Sequence, residues 1–157
     1  MDATQLLKKD HKEVKVLFKE FERLRARAAQ KKPPVVAQIC HALSLHAQLE
    51  EELVYPVLKE LRSHEIKDLV AEAAEEHQVA KILIGELTTL SPDDAQYEAK
   101  VTVLREYVQH HVKEEEQELF PKARKHLSAK RLEELGEAIT ARRQELEDEV
   151  GAKQQAA

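Results

Sequence analysis

The sequence is poor in the residues that break helices, form disulfides and cross membranes. It contains three glycines, five prolines, a single cysteine (Cys40) and 4% aromatic residues. Scarce glycine and proline, combined with abundant Ala, Glu, Lys, Leu and Arg, favour long helices. One cysteine excludes a disulfide within the chain. No apolar run approaches the roughly 20 residues of a membrane-spanning helix.

Charge and the polar start of the sequence exclude further classes of function. The formal net charge is −5, and no block of Lys and Arg builds the basic face that general nucleic-acid binding favours. Residues 1–13 are too polar for a secretory signal peptide. A chain of 157 residues has the size of one domain with its own core. We therefore expect a single cytoplasmic domain, residues 1–157, that binds neither nucleic acid nor membrane.

Residues that cap or break helices divide the sequence into five predicted helices. Ser91-Pro92-Asp93-Asp94 is the strongest start signal, because serine caps a helix, proline suits its first turn and acids favour its positive end. Ser63 and Ser128 are two further candidate caps. The predicted spans are 4–29, 33–62, 64–90, 92–126 and a shorter appended helix over 128–151, followed by a frayed tail over 152–157.

Apolar residues recur at helical spacing along these segments, so each helix has one inward face. In the first segment the face consists of Leu7, Val14, Phe18 and Phe21. Four such helices joined by short loops predict an all-α, up-down-up-down four-helix bundle, to which the shorter fifth helix is appended.

One short pattern of histidine, glutamate and proline occurs twice, 65 residues apart. Its two copies are His46, Glu50 and Pro56, then His111, Glu115 and Pro121. A further histidine precedes each copy by 34 or 35 residues, namely His77 and His11. The bundle is therefore predicted to be a duplicated helical hairpin, and each half supplies two histidines and one glutamate.

These six residues fall on the predicted core faces. Residues four apart differ by about 40° around a helix, so each His-Glu pair points in one direction. A lone histidine on such a face is more often a hydrogen-bonded core residue than a ligand, and Lys or Arg partners are the ordinary explanation for a glutamate. Two buried carboxylates, each beside a histidine, are better explained by a cation. The predicted metal ligands are His11, His46, Glu50, His77, His111 and Glu115.

The composition of this donor set indicates two metal ions. A structural zinc site closes with four ligands, whereas six donors in two equivalent sets fit two ions. If each glutamate bridges, every ion has four protein donors and about two open positions for a small molecule. Imidazole with carboxylate suits iron, manganese or zinc.

Neighbouring residues extend the predicted site. Tyr107 lies one turn before His111 on the same face, where it would contact a bound oxygen species, supply a further ligand or act as an ordinary core aromatic. Glu51 is predicted to be solvated or to contact a ligand. Pro56 and Pro121 are predicted to bend or end their helices.

These elements resemble the hemerythrin family, specifically its HHE cation-binding branch. The resemblance covers about residues 3–127 and rests on Asp10-His11, His46-x3-Glu50 with Tyr55-Pro56, Glu76-His77, and His111-x3-Glu115 with Phe120-Pro121. It implies a bundle around two iron ions with carboxylate and oxo or hydroxo bridges, the four histidines being terminal ligands and both glutamates bridges.

The resemblance also implies a function. It implies that the protein binds or reduces dioxygen, peroxide or nitric oxide in oxidative or nitrosative stress, or handles iron, with an electron donor as partner. Oxygen carriers of the family have a fifth histidine on the third helix, where this chain has Ala73 and Lys81, so simple oxygen transport is not expected. The alternatives are an iron store, donor or sensor without turnover, and a metal-free helical module that binds a partner.

Overall fold

The computed structural model describes residues 1–24 and 29–156, without the side chain of Ala29. Within these ranges every regular element is helical. The α-helices are α1 (Ala3–Leu24), α2 (Lys32–Leu49), α3 (Tyr55–Lys59), α4 (His64–Thr89), α5 (Tyr97–Glu114), α6 (Phe120–His126) and α7 (Ala129–Ala156). The predicted end of the first helix near Ala29 depends on residues 25–28, which lie outside the described residues.

Four helical rods form the bundle, and a fifth helix covers one side of it. A π-helical turn, Glu50–Val54, joins α2 to α3, and a second, Glu115–Leu119, joins α5 to α6. The rods α1 and α2–α3 form one hairpin, α4 and α5–α6 form the other, and α7 packs against α1 and α2. The predicted all-α bundle with a C-terminal fifth helix is confirmed. None of the described helices is long and apolar enough to span a membrane.

Of two predicted helix starts, the structure confirms the one at Ser63 and contradicts the one at Ser91. The backbone N–H of Ile66 donates to Ser63 Oγ at 3.2 Å, so the cap of α4 is confirmed. The start at Ser91 is wrong, because α5 begins at Tyr97. Ser91 Oγ and Asp94 Oδ1 instead accept from the N–H groups of residues 93 and 96, which builds a turn. The same polar side chains that cap helices also stabilise turns.

The fifth helix is longer than predicted. It starts beyond Ser128, whose Oγ accepts from the N–H of Arg131 at 3.1 Å. It then runs for 28 residues, through the predicted end near Gly151 to Ala156, and so matches the bundle helices in length. A Cβ at Gly136 would lie 2.3 Å from the Met1 carbonyl oxygen. Glycine therefore lets α7 approach the start of α1 closely.

Apolar side chains form two separate clusters, one towards each end of the bundle. One cluster contains Leu7, Leu49, Ile66 and Leu119, and the other contains Val14, Phe18, Phe21, Ile39 and Leu104. His11, His46, His77 and His111 lie along their helices between the residues of these clusters. The bundle thus encloses a polar layer between two apolar ones.

The two π-helical turns occur at equivalent positions of the two halves. The N–H of Tyr55 donates to the Glu50 carbonyl and that of Phe120 to the Glu115 carbonyl, five residues back. Each turn is followed, after one intervening residue, by a proline, which lacks an N–H and would clash with the carbonyl four residues before it in a regular helix. Pro56 and Pro121 thus mark widened turns, which are frequent at functional sites.

Candidate metal centre

The structure brings the six predicted ligands together in the polar layer. Glu50 is 0% exposed and Glu115 1%. The four histidines are also buried. Each half of the chain supplies one histidine from the end of α2 or α5, a glutamate from the π-helical turn that follows, and its other histidine from α1 or α4.

The first donor set consists of His11, His46, Glu50 and Glu115. One donor atom of each lies within 4.8 Å of all the others. His46 Nε2 is 3.2 Å from Glu50 Oε1, and His11 Nε2 is 3.3 Å from Glu115 Oε2. All four atoms are buried, yet none has a hydrogen-bond partner among the described residues. Orphaned buried donors and acceptors are costly, so this set fits a cation.

The second donor set contains Glu50, His77 and His111, whose donor atoms lie within 4.8 Å of one another, and the other oxygen of Glu115 lies beside His111. His77 Nε2 is 3.1 Å from Glu50 Oε2, and His111 Nε2 is 3.4 Å from Glu115 Oε1. The two Nε2 atoms are 3.2 Å apart. Each glutamate therefore presents one oxygen to each set, which is the arrangement that a bridging carboxylate requires.

Tyr55 is a central residue of the site that the sequence analysis did not identify. Its hydroxyl lies 3.0 Å from Glu50 Oε2 and 2.9 Å from Glu115 Oε1, and donates to one of them at a time. It is also 3.3 Å from His77 Nε2. Burial and then the two carboxylates raise the pKa of Tyr55, so the phenol keeps its proton.

The π-helical turn explains why Tyr55 reaches this position. Five residues along a regular α-helix turn the chain by about 140° away from the starting face. The widened turn, closed by a bond across five residues, brings Tyr55 back over Glu50. The equivalent residue of the second half is Phe120, whose ring stacks on His11 at 5.9 Å and carries no hydroxyl. The two donor sets therefore differ in one phenol group.

A carboxylate contacts the second ring nitrogen of each of the four candidate histidine ligands. The contacts from Nδ1 are 2.8 Å for His11–Glu116, 3.0 Å for His46–Asp10, 2.9 Å for His77–Glu51 and 3.1 Å for His111–Glu76. Two of these acids precede a histidine ligand and two follow a glutamate ligand, so the pattern repeats in both halves. Such acceptors fix the ring and leave Nε2 free to bind metal.

Two of these carboxylates are held in turn by a cation. Arg143 of α7 lies 2.8 Å from Asp10, and Lys81 lies 2.7 Å from Glu51. Burial opposes the charge of Asp10, but hydrogen bonds from His46 and Arg143 prevail and lower its pKa. Although α7 lies outside the four-helix bundle, it thus helps to orient a candidate ligand.

Without metal, protons balance the buried charges. Burial favours the neutral form of His46, but the Glu50 charge and the hydrogen bond to Asp10 outweigh it and raise the pKa of His46 to about 10. Burial also favours the neutral form of Glu50 and so would raise its pKa. The histidines around Glu50 outweigh this effect and hold that pKa well below its usual value. The imidazolium of His46 thus balances the charge of Glu50, and a metal ion would displace its proton.

A small apolar cavity of about 40 Å³ lies beside the four histidines. Its volume exceeds the roughly 10–15 Å³ that one water molecule needs by this measure. A diatomic molecule or a peroxide therefore fits beside the donor sets. Besides polar site residues, its lining contains Leu43, Ala47, Ala80, Ile84, Val108 and Val112.

Tyr107 lies at the edge of this cavity rather than in the core. It lines the cavity together with His77 and His111, but it is 42% exposed. Its hydroxyl makes no hydrogen bond to a site residue in the described part of the chain. The structure thus places Tyr55, not Tyr107, against the candidate ligands.

Cys40 is buried away from the site, and burial raises the pKa of its thiol.

Replacing Asp10 by asparagine is expected to weaken metal binding by about 10- to 100-fold, since carboxylates that orient ligands contribute this much to affinity. The variant removes the charge that faces both His46 and Arg143 but keeps the size of the side chain. Competition against a chelator of known affinity would measure the change. Asp68→Asn, at an exposed position of α4, is the control; equal affinities for both variants would contradict the role of Asp10.

Comparisons with known proteins agree with this geometry. The hemerythrin HHE cation-binding domain model matches residues 2–123. The chain is 28% identical over 151 residues to a DNA nickase from Nostoc sp., covering 96% of this chain and 42% of that protein. It is 30% identical over 91 residues to an uncharacterized hemerythrin-like protein from Schizosaccharomyces pombe, covering 58% of this chain and 45% of that protein.

A solved structure shares the fold. The crystal structure of a hemerythrin HHE cation-binding domain-containing protein from Mycobacterium kansasii aligns with a TM-score of 0.78 and 23% identity, covering 92% of this chain and 86% of the other. The chain spans less than half the length of the two curated relatives. Because the family model covers most of the chain, this protein belongs to the hemerythrin HHE cation-binding domain family.

Proposed function

We propose that this protein is a cytoplasmic non-haem di-iron protein that binds or reduces a small oxidant or gas: dioxygen, peroxide or nitric oxide. The observation that carries the proposal is the group of four buried, unpartnered donor atoms on His11, His46, Glu50 and Glu115. A second donor set shares the two glutamates, and an apolar cavity for a small molecule adjoins both sets.

The donor set supports two iron ions, one held by His11 and His46 and the other by His77 and His111, with Glu50 and Glu115 shared. Nitrogen and carboxylate oxygen donors suit iron, and also manganese or zinc. Two iron ions held by these residues would supply one electron each to a bound oxidant, and an electron donor would return those electrons to the iron.

The protein residues control access and protons in this scheme. The apolar lining of the cavity excludes bulk water, which strengthens electrostatic interactions inside it. The Tyr55 phenol keeps its proton between Glu50 and Glu115, so it can donate a hydrogen bond to a reduced oxidant on that side. The carboxylates on the Nδ1 atoms keep the imidazole rings oriented.

Two other functions compete with this one. A metal-free module would leave four buried donor atoms without a hydrogen bond to any described residue and two carboxylates buried in its core, which argues against it. An iron store or sensor would use the same ligands without turnover. Nicking, the activity named for the Nostoc relative, is not extended to this chain, because the match covers 42% of that protein and a net charge of −5 does not favour DNA.

Metal analysis combined with a peroxide assay tests the proposal. The purified protein should contain about two iron ions per chain and show a near-ultraviolet band that bleaches on reduction. The iron-loaded protein should consume peroxide or bind nitric oxide. His77→Ala should lose these activities, whereas His64→Ala, at an exposed position, should retain them. Two iron ions without either activity would indicate a store, and no iron after anaerobic ferrous loading would leave a helical module.

A further inference from the structure

A long groove runs along the seam between α1 and α5 on the outside of the metal centre. Its volume is about 480 Å³, which lies in the range of small-molecule sites. At one end are His11 and Glu116, which are 2.8 Å apart. At the other end the Arg105–Glu22 ion pair, at 2.8 Å, links the two helices. About eleven residues of α1 separate the two ends, or roughly 16 Å of helix.

The groove exists because these two helices do not pack closely. The backbones of α1 and α2 contact each other closely, as do those of α4 and α5, whereas α1 and α5 are mainly bridged by side chains along this seam. The floor of the groove is apolar and consists of Val14, Phe18, Val108 and Val112. Three of these, Val14, Val108 and Val112, also line the small cavity beside the histidines.

The rim of the groove is basic in a protein that is acidic overall. Lys15 and Lys19 of α1 and Lys113 of α5 line it. All three are exposed, and no carboxylate among the described residues forms an ion pair with any of them. The net charge of the protein is −5, yet three lysines without an ion-pair partner among the described residues, beside an apolar floor, give this groove a locally positive rim.

The geometry points to a binding site for an aliphatic monocarboxylate in this groove. The alkyl chain would lie on the valines and Phe18, where the burial of its methylene groups favours binding. The carboxylate would face the lysines of the rim. The length of the groove suits a chain of about ten carbons, given the roughly 16 Å between its ends. This inference goes beyond the proposed function, because it needs no metal and concerns a second ligand next to the centre.

Titration calorimetry with monomeric decanoate tests this site on the full-length protein, in both metal-free and iron-loaded forms. We expect saturable one-to-one binding in both forms and no binding of decylamine, which has the same tail and the opposite charge. Lys15→Glu with Lys19→Glu should weaken decanoate binding tenfold or more and allow decylamine to bind.

The matched control reverses the charge of two lysines that lie outside the groove. Lys12→Glu with Lys67→Glu alters two exposed lysines outside the groove and should leave decanoate binding within twofold of the wild type. Equal weakening in both double variants, no binding to the wild type, or binding to anionic vesicles but not to monomeric decanoate would each overturn the site. If decanoate does not bind but iron loads normally, only the groove site is refuted. If decanoate binds but iron does not load, only the proposed function is refuted.

Discussion

Exchanging Glu50 and Glu115 together for glutamine is expected to abolish metal binding while the bundle stays folded. Glutamine preserves the volume of each side chain, so no cavity forms in the core. It removes the negative charge on which both donor sets depend, and an amide oxygen is a much weaker ligand than a carboxylate. In the metal-free variant His46 and His111 lose the carboxylate charges that raise their pKa, so both become neutral more readily.

The thermal consequence of this loss is large. A ligand present at a thousand times its Kd stabilises a protein by about 4 kcal/mol, so two metal sites contribute about 8 kcal/mol. At roughly 2–4 °C per kcal/mol for a chain of this size, the wild-type Tm should rise by about 15–30 °C on anaerobic ferrous loading. The Tm of the double variant should not change.

A matched double variant at the surface tests whether the effect belongs to these two positions. Glu106 and Glu133 are exposed, and their exchange for glutamine should leave both the metal content and the ferrous-induced rise in Tm intact. Elemental analysis that finds two metal ions in Glu50→Gln with Glu115→Gln would show that these carboxylates are not the ligands.

Tyr55→Phe is expected to destabilise the metal-free protein by roughly 2–3 kcal/mol, the usual contribution of a hydrogen bond to a buried charged group. The hydroxyl serves Glu50 Oε2 and Glu115 Oε1 in turn, and phenylalanine leaves both oxygens with less compensation. Urea denaturation of the apoprotein would measure the change in the free energy of unfolding.

Tyr97→Phe is the control for this prediction. Tyr97 is also buried, at 3% exposure, but lies in the apolar cluster around Phe18 and Phe21. Its hydroxyl makes no hydrogen bond with the described residues, so its removal should change stability by less than about 0.5 kcal/mol. Equal effects of the two variants would mean that the Tyr55 hydroxyl has no special role between the carboxylates.

The sequence is sufficient to predict the ligand positions because they depend on one simple geometric rule. Residues four apart share a helix face, so His46 with Glu50 and His111 with Glu115 must point together. The 65-residue duplication then places the two pairs opposite each other. All six residues lie buried in one layer of the bundle, and their role as metal ligands stays a prediction.

The residues that the sequence did not identify depend on departures from regular geometry or on distant contacts. Tyr55 reaches the glutamates only because a widened turn changes the phase of the helix. Arg143 is 133 residues from Asp10, and its contact requires knowing how α7 crosses the bundle. The start of α5 at Tyr97 was missed because Ser91 and Asp94 stabilise a turn with the same groups that could have capped a helix.

The paired π-helical turns also carry information about the history of the chain. Such a turn differs from a regular one by a single inserted residue, and both copies occupy the same place in their halves, 65 residues apart. A single insertion before the gene duplicated accounts for both. Asp10 and Glu76 contact histidines of their own half, whereas Glu51 and Glu116 contact histidines of the other. Each half therefore holds only part of the centre, and the contacts that orient all four histidines are complete only when the two hairpins pack together.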